Sequence, residues 1–102
     1  MAVMDSILEE ELERLETLKK QYMAKIAKMP QGSISIKIKR GGKYVYLAYR
    51  DGKIIRTDYI GRLGSPKANE ITNRIEQRRK MTSELKAINN DIKQLRKMLN
   101  VR

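Results

Sequence analysis

Two dipeptides ten residues apart, Gly41-Gly42 and Asp51-Gly52, limit what the middle of this 102-residue chain can become. Both are of the kind that fills two-residue hairpin loops, because those loops need positive φ, which Gly and Asp tolerate. The segments around them are strand-like. Ser33–Lys39 alternates without a break, Lys43–Arg50 is rich in Tyr, Val and Leu, and Lys53–Ile60 carries Ile, Thr and Tyr. The pattern predicts a three-stranded antiparallel meander over residues 33–61.

Placing the two dipeptides at the turns sets a register. Ile38 then opposes Val45, Ile36 opposes Leu47, and Ile34 opposes Tyr49; on the other side Tyr46 opposes Thr57 and Tyr44 opposes Tyr59. Alternation gathers Ile34, Ile36, Ile38, Val45, Leu47, Tyr49, Ile54 and Ile60 on one face, which reads as the core face. The opposite face receives Ser35, Lys37, Lys39, Tyr44, Tyr46, Ala48, Arg50, Lys53, Ile55, Thr57 and Tyr59, with no acid among them. Arg56 and Asp58 fall on the apolar face, as charges that guard an edge strand or as the sign of a bulge near Arg56.

Long amphipathic stretches flank the meander. Leu8, Leu12, Leu15, Tyr22, Ile26 and Met29 recur at helical spacing, with Leu18 beside the interrupting Lys19, so a helix is expected over 4–29, stopped by Pro30 and Gly32. Ile71, Ile75, Arg78, Met81, Leu85, Ile88, Ile92, Leu95 and Leu99 form a second stripe over 66–99, with Ser65 as N-cap and Pro66 at the first helical position. The second helix would be roughly 50 Å long and the first roughly 37 Å. The fold class expected is α+β: a single domain over 1–102 in which an antiparallel helical hairpin flanks the meander. One helix pair covers its two stripes poorly, so a homodimer through the helices is expected.

The chain carries 23 basic and 12 acidic residues, a net charge of +11. Residues 1–29 hold five basic and six acidic residues, whereas 30–66 hold eight against two and 67–102 hold ten against four. Positive charge confined to two thirds of a small protein attracts polyanions. Four of the five tyrosines lie within Gly42–Gly61, and there is no Phe or Trp. Tyrosines interleaved with Lys and Arg combine base stacking with phosphate neutralisation, so nucleic acid, DNA or RNA, is the expected partner. The candidate residues are Lys37, Lys39, Tyr44, Tyr46, Arg50, Lys53 and Tyr59 on the sheet. Arg62 and Lys67 in the following loop and Arg74 and Arg78 on the second helix extend them.

Other functions are disfavoured. With no Cys and no His the chain has neither thiolate nor imidazole for metal binding or nucleophilic catalysis. No phosphate-binding glycine loop is followed by Lys-Ser/Thr, and Ser33 and Ser65 have no evident base, so no enzyme and no cofactor is expected. No apolar run approaches the ~20 residues that span a bilayer, and the acidic amphipathic start is unlike a secretory signal, which predicts a cytoplasmic protein without a membrane partner.

The run P-Q-G-S-I-S-I-K…G-K-Y-V-Y-L-A-Y-R-D-G-K…Y-I-G, followed by a charged helix, resembles small uncharacterised proteins of bacteria, archaea, phages and mobile elements. These also set a tyrosine-rich meander between two charged helices. G-K-Y-V-Y, R-D-G-K and G-R-L-G-S-P-K-A-N-E are similar to the arm-binding domain of tyrosine-recombinase integrases, a three-stranded sheet on a helix that binds DNA through the sheet. That resemblance covers about 40 residues and implies DNA binding through Lys37, Lys39, Tyr44, Tyr46 and Arg50. The chain departs from it by its long N-terminal helix, its extended second helix and the lack of a recombinase catalytic domain. The alternative function is a protein-interaction inhibitor or adaptor, such as a phage-encoded inhibitor of a host nuclease or of a CRISPR-type nucleoprotein complex.

Overall fold

The computed structural model describes residues 3–100, in the order α1 (Val3–Ala27), β1 (Ser33–Lys39), β2 (Gly42–Asp51), β3 (Ile54–Arg62) and α2 (Pro66–Asn100). The architecture is α+β, two helices flanking a three-stranded antiparallel sheet of order β1-β2-β3. Among the described residues no helix is long and apolar enough to cross a membrane.

The chain divides into two compact units, Met1–Lys28 with Lys80–Arg102, and Met29–Arg79. In the first, α1 and the C-terminal part of α2 bury Leu15, Ile88 and Ile92, with Leu12, Leu18, Tyr22 and Leu95 packed against them. Leu18 thus takes the seam position that Lys19 leaves open. The Tyr22 hydroxyl donates to Glu84 at 2.5 Å and the Arg96 guanidinium to Glu16 at 2.6 Å. Partners that converge in sequence in this way make the pair antiparallel. The first helix ends two residues before the expected Met29, where Lys28 N–H bonds back to Lys25 C=O in a tight last turn.

In the second unit the buried side chains are Val45, at the centre of β2, and Ala68 and Ile75 on the first turns of α2. A lone sheet must cover its apolar face, and α2 supplies the only helical segment of this unit. Its start is fixed by Ser65, whose hydroxyl accepts the Ala68 N–H at 3.3 Å while its carbonyl accepts that of Asn69 at 2.9 Å. Gly61 permits the close approach of that cap: a Cβ there would meet Ser65 Oγ at 2.8 Å.

The strands pair in a register other than the one expected. The turns are Arg40-Gly41 and Gly52-Lys53, each displaced by one residue from Gly41-Gly42 and Asp51-Gly52. Gly41 (φ 70°) and Gly52 (φ 64°) take the left-handed positions, whereas Gly42 and Asp51 are strand residues. Consequently Ile38 opposes Lys43, Ile36 opposes Val45 and Ile34 opposes Leu47; Tyr49 opposes Arg56, Ala48 opposes Thr57 and Tyr46 opposes Tyr59. Both displacements move the pairing by an even number of positions, so every side chain as far as Tyr59 keeps its face. The bulge is not at Arg56 but later, where β2 steps from Tyr46 to Val45 while β3 steps from Tyr59 to Gly61. Ile60 is the extra residue, and Arg62 is drawn opposite Tyr44.

The expected core face is only partly covered. Val45 is buried, but Ile36 and Ile38 are 52% and 77% exposed, and Ile54 is exposed too. On β3 the same face is polar: it carries Asp58 and Arg56, whose guanidinium bonds Asp51 at 2.8 Å.

Candidate nucleic-acid interface

The outward face is built by alternation on three short strands. On β2, residues 42, 44, 46, 48 and 50 point to one side, joined by 35, 37 and 39 from β1 and by 55, 57, 59 and 62 from β3. None of these residues is acidic. Asp51 and Asp58 lie on the other face with Lys43 and Arg56, so the meander keeps both of its acids away from the tyrosines.

At the end of this face nearest the first turn, three tyrosines meet. Tyr59 stands directly opposite Tyr46, with ring centroids 5.5 Å apart in an edge-on arrangement, and its centroid is 6.2 Å from that of Tyr44 at a 54° tilt. These are favoured geometries for aromatic pairs. Basic groups sit over two of the rings. Lys37 Nζ is 4.6 Å and Lys39 Nζ 5.6 Å from the Tyr46 centroid, and the Arg62 guanidinium carbon is 5.8 Å from that of Tyr44. Lys39 also donates to the Tyr46 hydroxyl at 3.3 Å. Together Lys39, Arg40, Tyr44, Tyr46 and Tyr59 line an open hollow of about 740 Å³.

Gly42 explains how Tyr44 folds over the strand end. A Cβ at this position would stand 3.0 Å from the Tyr44 hydroxyl oxygen and 3.0 Å from Arg62 Nη2. The second glycine of the pair therefore serves the tyrosine site, and the first makes the turn.

The structure brings together Lys37, Lys39, Tyr44, Tyr46, Tyr59 and Arg62. Arg62 belongs to β3 and Lys67 to α2, so neither is in a loop. Arg50 is near the second turn, roughly 20 Å along β2 from Tyr44, and Lys53 is in that turn. Lys67, Arg74 and Arg78 lie on the first turns of α2 and do not line the hollow. Arg40 does line it and is not among the candidates that the sequence offers; its neighbour Gly41, free to take positive φ, is the available signal.

Residues 8–70, more than half of the chain, match the family described as a domain of unknown function (DUF6788). The chain belongs to the DUF6788 family. The DUF6788 region runs from Leu8 in α1 through the meander to Glu70 in α2, so the whole tyrosine hollow lies inside it. No curated protein and no solved structure matches the chain.

Proposed function

We propose that this DUF6788 protein binds nucleic acid through the outward face of its meander. The observation that carries the reading is the packing of Lys37, Lys39 and Arg62 over the rings of Tyr46 and Tyr44 on a face without acids. A cation over an aromatic ring keeps its charge available to phosphate while the ring fixes its position. A nucleic acid uses both parts of this face at once, its phosphates meeting the cations and its bases the tyrosine rings. The test is fluorescence anisotropy on labelled DNA and RNA oligonucleotides over a salt series. Affinity should fall steeply as salt rises, and Lys37→Ala should lower the slope of log K against log salt by about 0.7 to 0.9. Affinity that does not respond to salt removes the proposal, as does a partner pulled down equally well after nuclease treatment.

We also propose a homodimer through the helical unit. Its α1 is acidic and the second half of α2 basic, so two copies related by a twofold axis can set α1 of one beside α2 of the other. Met4, Ile7 and Met98 remain exposed in this unit and offer apolar area to a second copy. Light scattering after size exclusion at low micromolar concentration should give twice the 11.9 kDa chain mass; the monomer mass refutes it.

A further inference from the structure

We propose that the hollow between Tyr44, Tyr46 and Tyr59 receives one unpaired nucleobase of a single strand, stacked on Tyr59, with adjoining phosphates held by Lys39, Arg40 and Arg62. This rests on the nucleic-acid reading and narrows it to single strands. The first ground is ring orientation. Interplanar angles of 54° and 63° prevent the three rings from forming a flat platform for a duplex end or a row of bases. They wall a recess instead, of about 740 Å³, within the range of sites that hold small ligands.

The second ground is the division of work among the rings. The Tyr46 and Tyr44 rings already carry cations, from Lys37 and Lys39 and from Arg62. Among the described residues no cation lies over the Tyr59 ring, which meets the rings of Tyr44 and Tyr46 and is 55% exposed. Tyr59 is thus the ring with stacking surface to offer. Tyr44 and Tyr46 hold the charges around it.

The third ground is charge. Three tyrosines at these tilts are also the walls of a cage for a methylated ammonium, but Lys37, Lys39, Arg40 and Arg62 would repel any cation. The ligand must be flat and anionic, as a nucleotide is. In a duplex the base is paired and stacked, and placing it in the recess first requires extruding it, a cost that a single strand does not bear. A free nucleotide has the same base and phosphate but engages fewer of the surrounding cations.

Anisotropy titrations with the full chain test this, using a labelled oligothymidylate, the same strand with abasic sites throughout, and a duplex of equal length at one salt concentration. The single strand should bind about tenfold tighter than either of the others, the ratio expected for one good base stack. Tyr59→Leu should lose about tenfold on the oligothymidylate with an unchanged salt slope, and should not alter binding of the abasic strand. Tyr59→Phe should retain affinity. Circular dichroism melts establish that the variants fold, and the abasic comparison needs no variant. Equal affinity for the three ligands, or a Tyr59→Leu loss that extends to the abasic strand, overturns the inference and leaves the nucleic-acid reading standing. Thymidine monophosphate competing as well per nucleotide as the oligomer also overturns it, in favour of a nucleotide site. Binding to none of the nucleic acids at low salt ends both.

Discussion

Two glycines, ten residues apart, show how a single added methyl group should act in opposite ways. Gly32 has φ 126°, and a Cβ on it would come within 2.3 Å of the carbonyl oxygen of Ala48. Backbone cannot move aside as a side chain can, so Gly32→Ala should cost at least about 1–3 kcal/mol. It should also lower the melting temperature by roughly 4–8 °C for each kcal/mol. At Gly42 the atoms in the way are the ends of Tyr44 and Arg62, which can swing. Gly42→Ala should therefore melt close to the wild type and yet bind nucleic acid less well, because it displaces the Tyr44 ring that lines the hollow and the Arg62 guanidinium held over that ring. Melting curves and anisotropy on the two variants should separate cleanly: stability for one, affinity for the other. If Gly42→Ala bound like the wild type, the folded-over Tyr44 would have no part in the site. Tyr46→Leu makes a third case. Its ring positions Lys37 and Lys39, so its loss should reduce the salt slope, whereas loss of Tyr59 should leave the slope alone.

Helices and strands differed in how much of them could be read beforehand. The α2 stripe was legible throughout, since Ile75, Ile88 and Ile92 are buried and Ile71, Met81, Leu85, Leu95 and Leu99 half-buried. A period of 3.6 over 35 residues leaves little room for a shift. In the meander the faces were legible and the register was not. Period two survives an even slip, and two adjacent glycines, Gly41 and Gly42, do not say which of them takes the positive φ. The deciding contact, Tyr44 with Arg62 across Gly42, depends on the bulge at Ile60, where Gly61 reads as readily as the end of the strand as it does as the mark of a bulge. Between elements, the tyrosine hydroxyls give a pH signature. Tyr22 donates to Glu84 between α1 and α2, and Tyr49 faces the Asp58 carboxylate between β2 and β3; in both, the neighbouring carboxylate first and burial second raise the pKa above the ordinary value near 10.0. A folded-state pKa above the unfolded one means the contribution is complete below the unfolded pKa and is lost as pH climbs through the raised value. The melting temperature should hold from about pH 8 to pH 9 and then fall. Tyr22→Phe should begin lower at about pH 8 and lose less above pH 10. Parallel curves for variant and wild type would remove the Tyr22–Glu84 bond from the account.

Over the whole molecule, a net charge of +11 acts on stability and on binding with opposite sign. The exposed ion pairs Arg14–Glu11, Arg56–Asp51 and Arg96–Glu16 offset little of the repulsion, since such pairs contribute about 0–1 kcal/mol each. The apolar reserve is modest: the helical unit's central cluster of buried side chains is Leu15, Ile88 and Ile92. Ile92→Ala should accordingly cost about 2–5 kcal/mol, a large part of the 5–15 kcal/mol ordinary for a chain of this size. Self-repulsion weighs heavily against so small a reserve. Raising monovalent salt from about 0.05 to 0.5 M shortens the screening length to a few ångströms and relieves it. The melting temperature should therefore rise with salt over the range in which nucleic-acid affinity falls, because there the same cations lose the advantage of releasing counterions. Melts and titrations in matched buffers make the comparison direct. A melting temperature that fell with salt would show that the ion pairs outweigh the repulsion. The basic surplus would then be no burden on the fold, and no trade of stability for affinity would be needed to explain it.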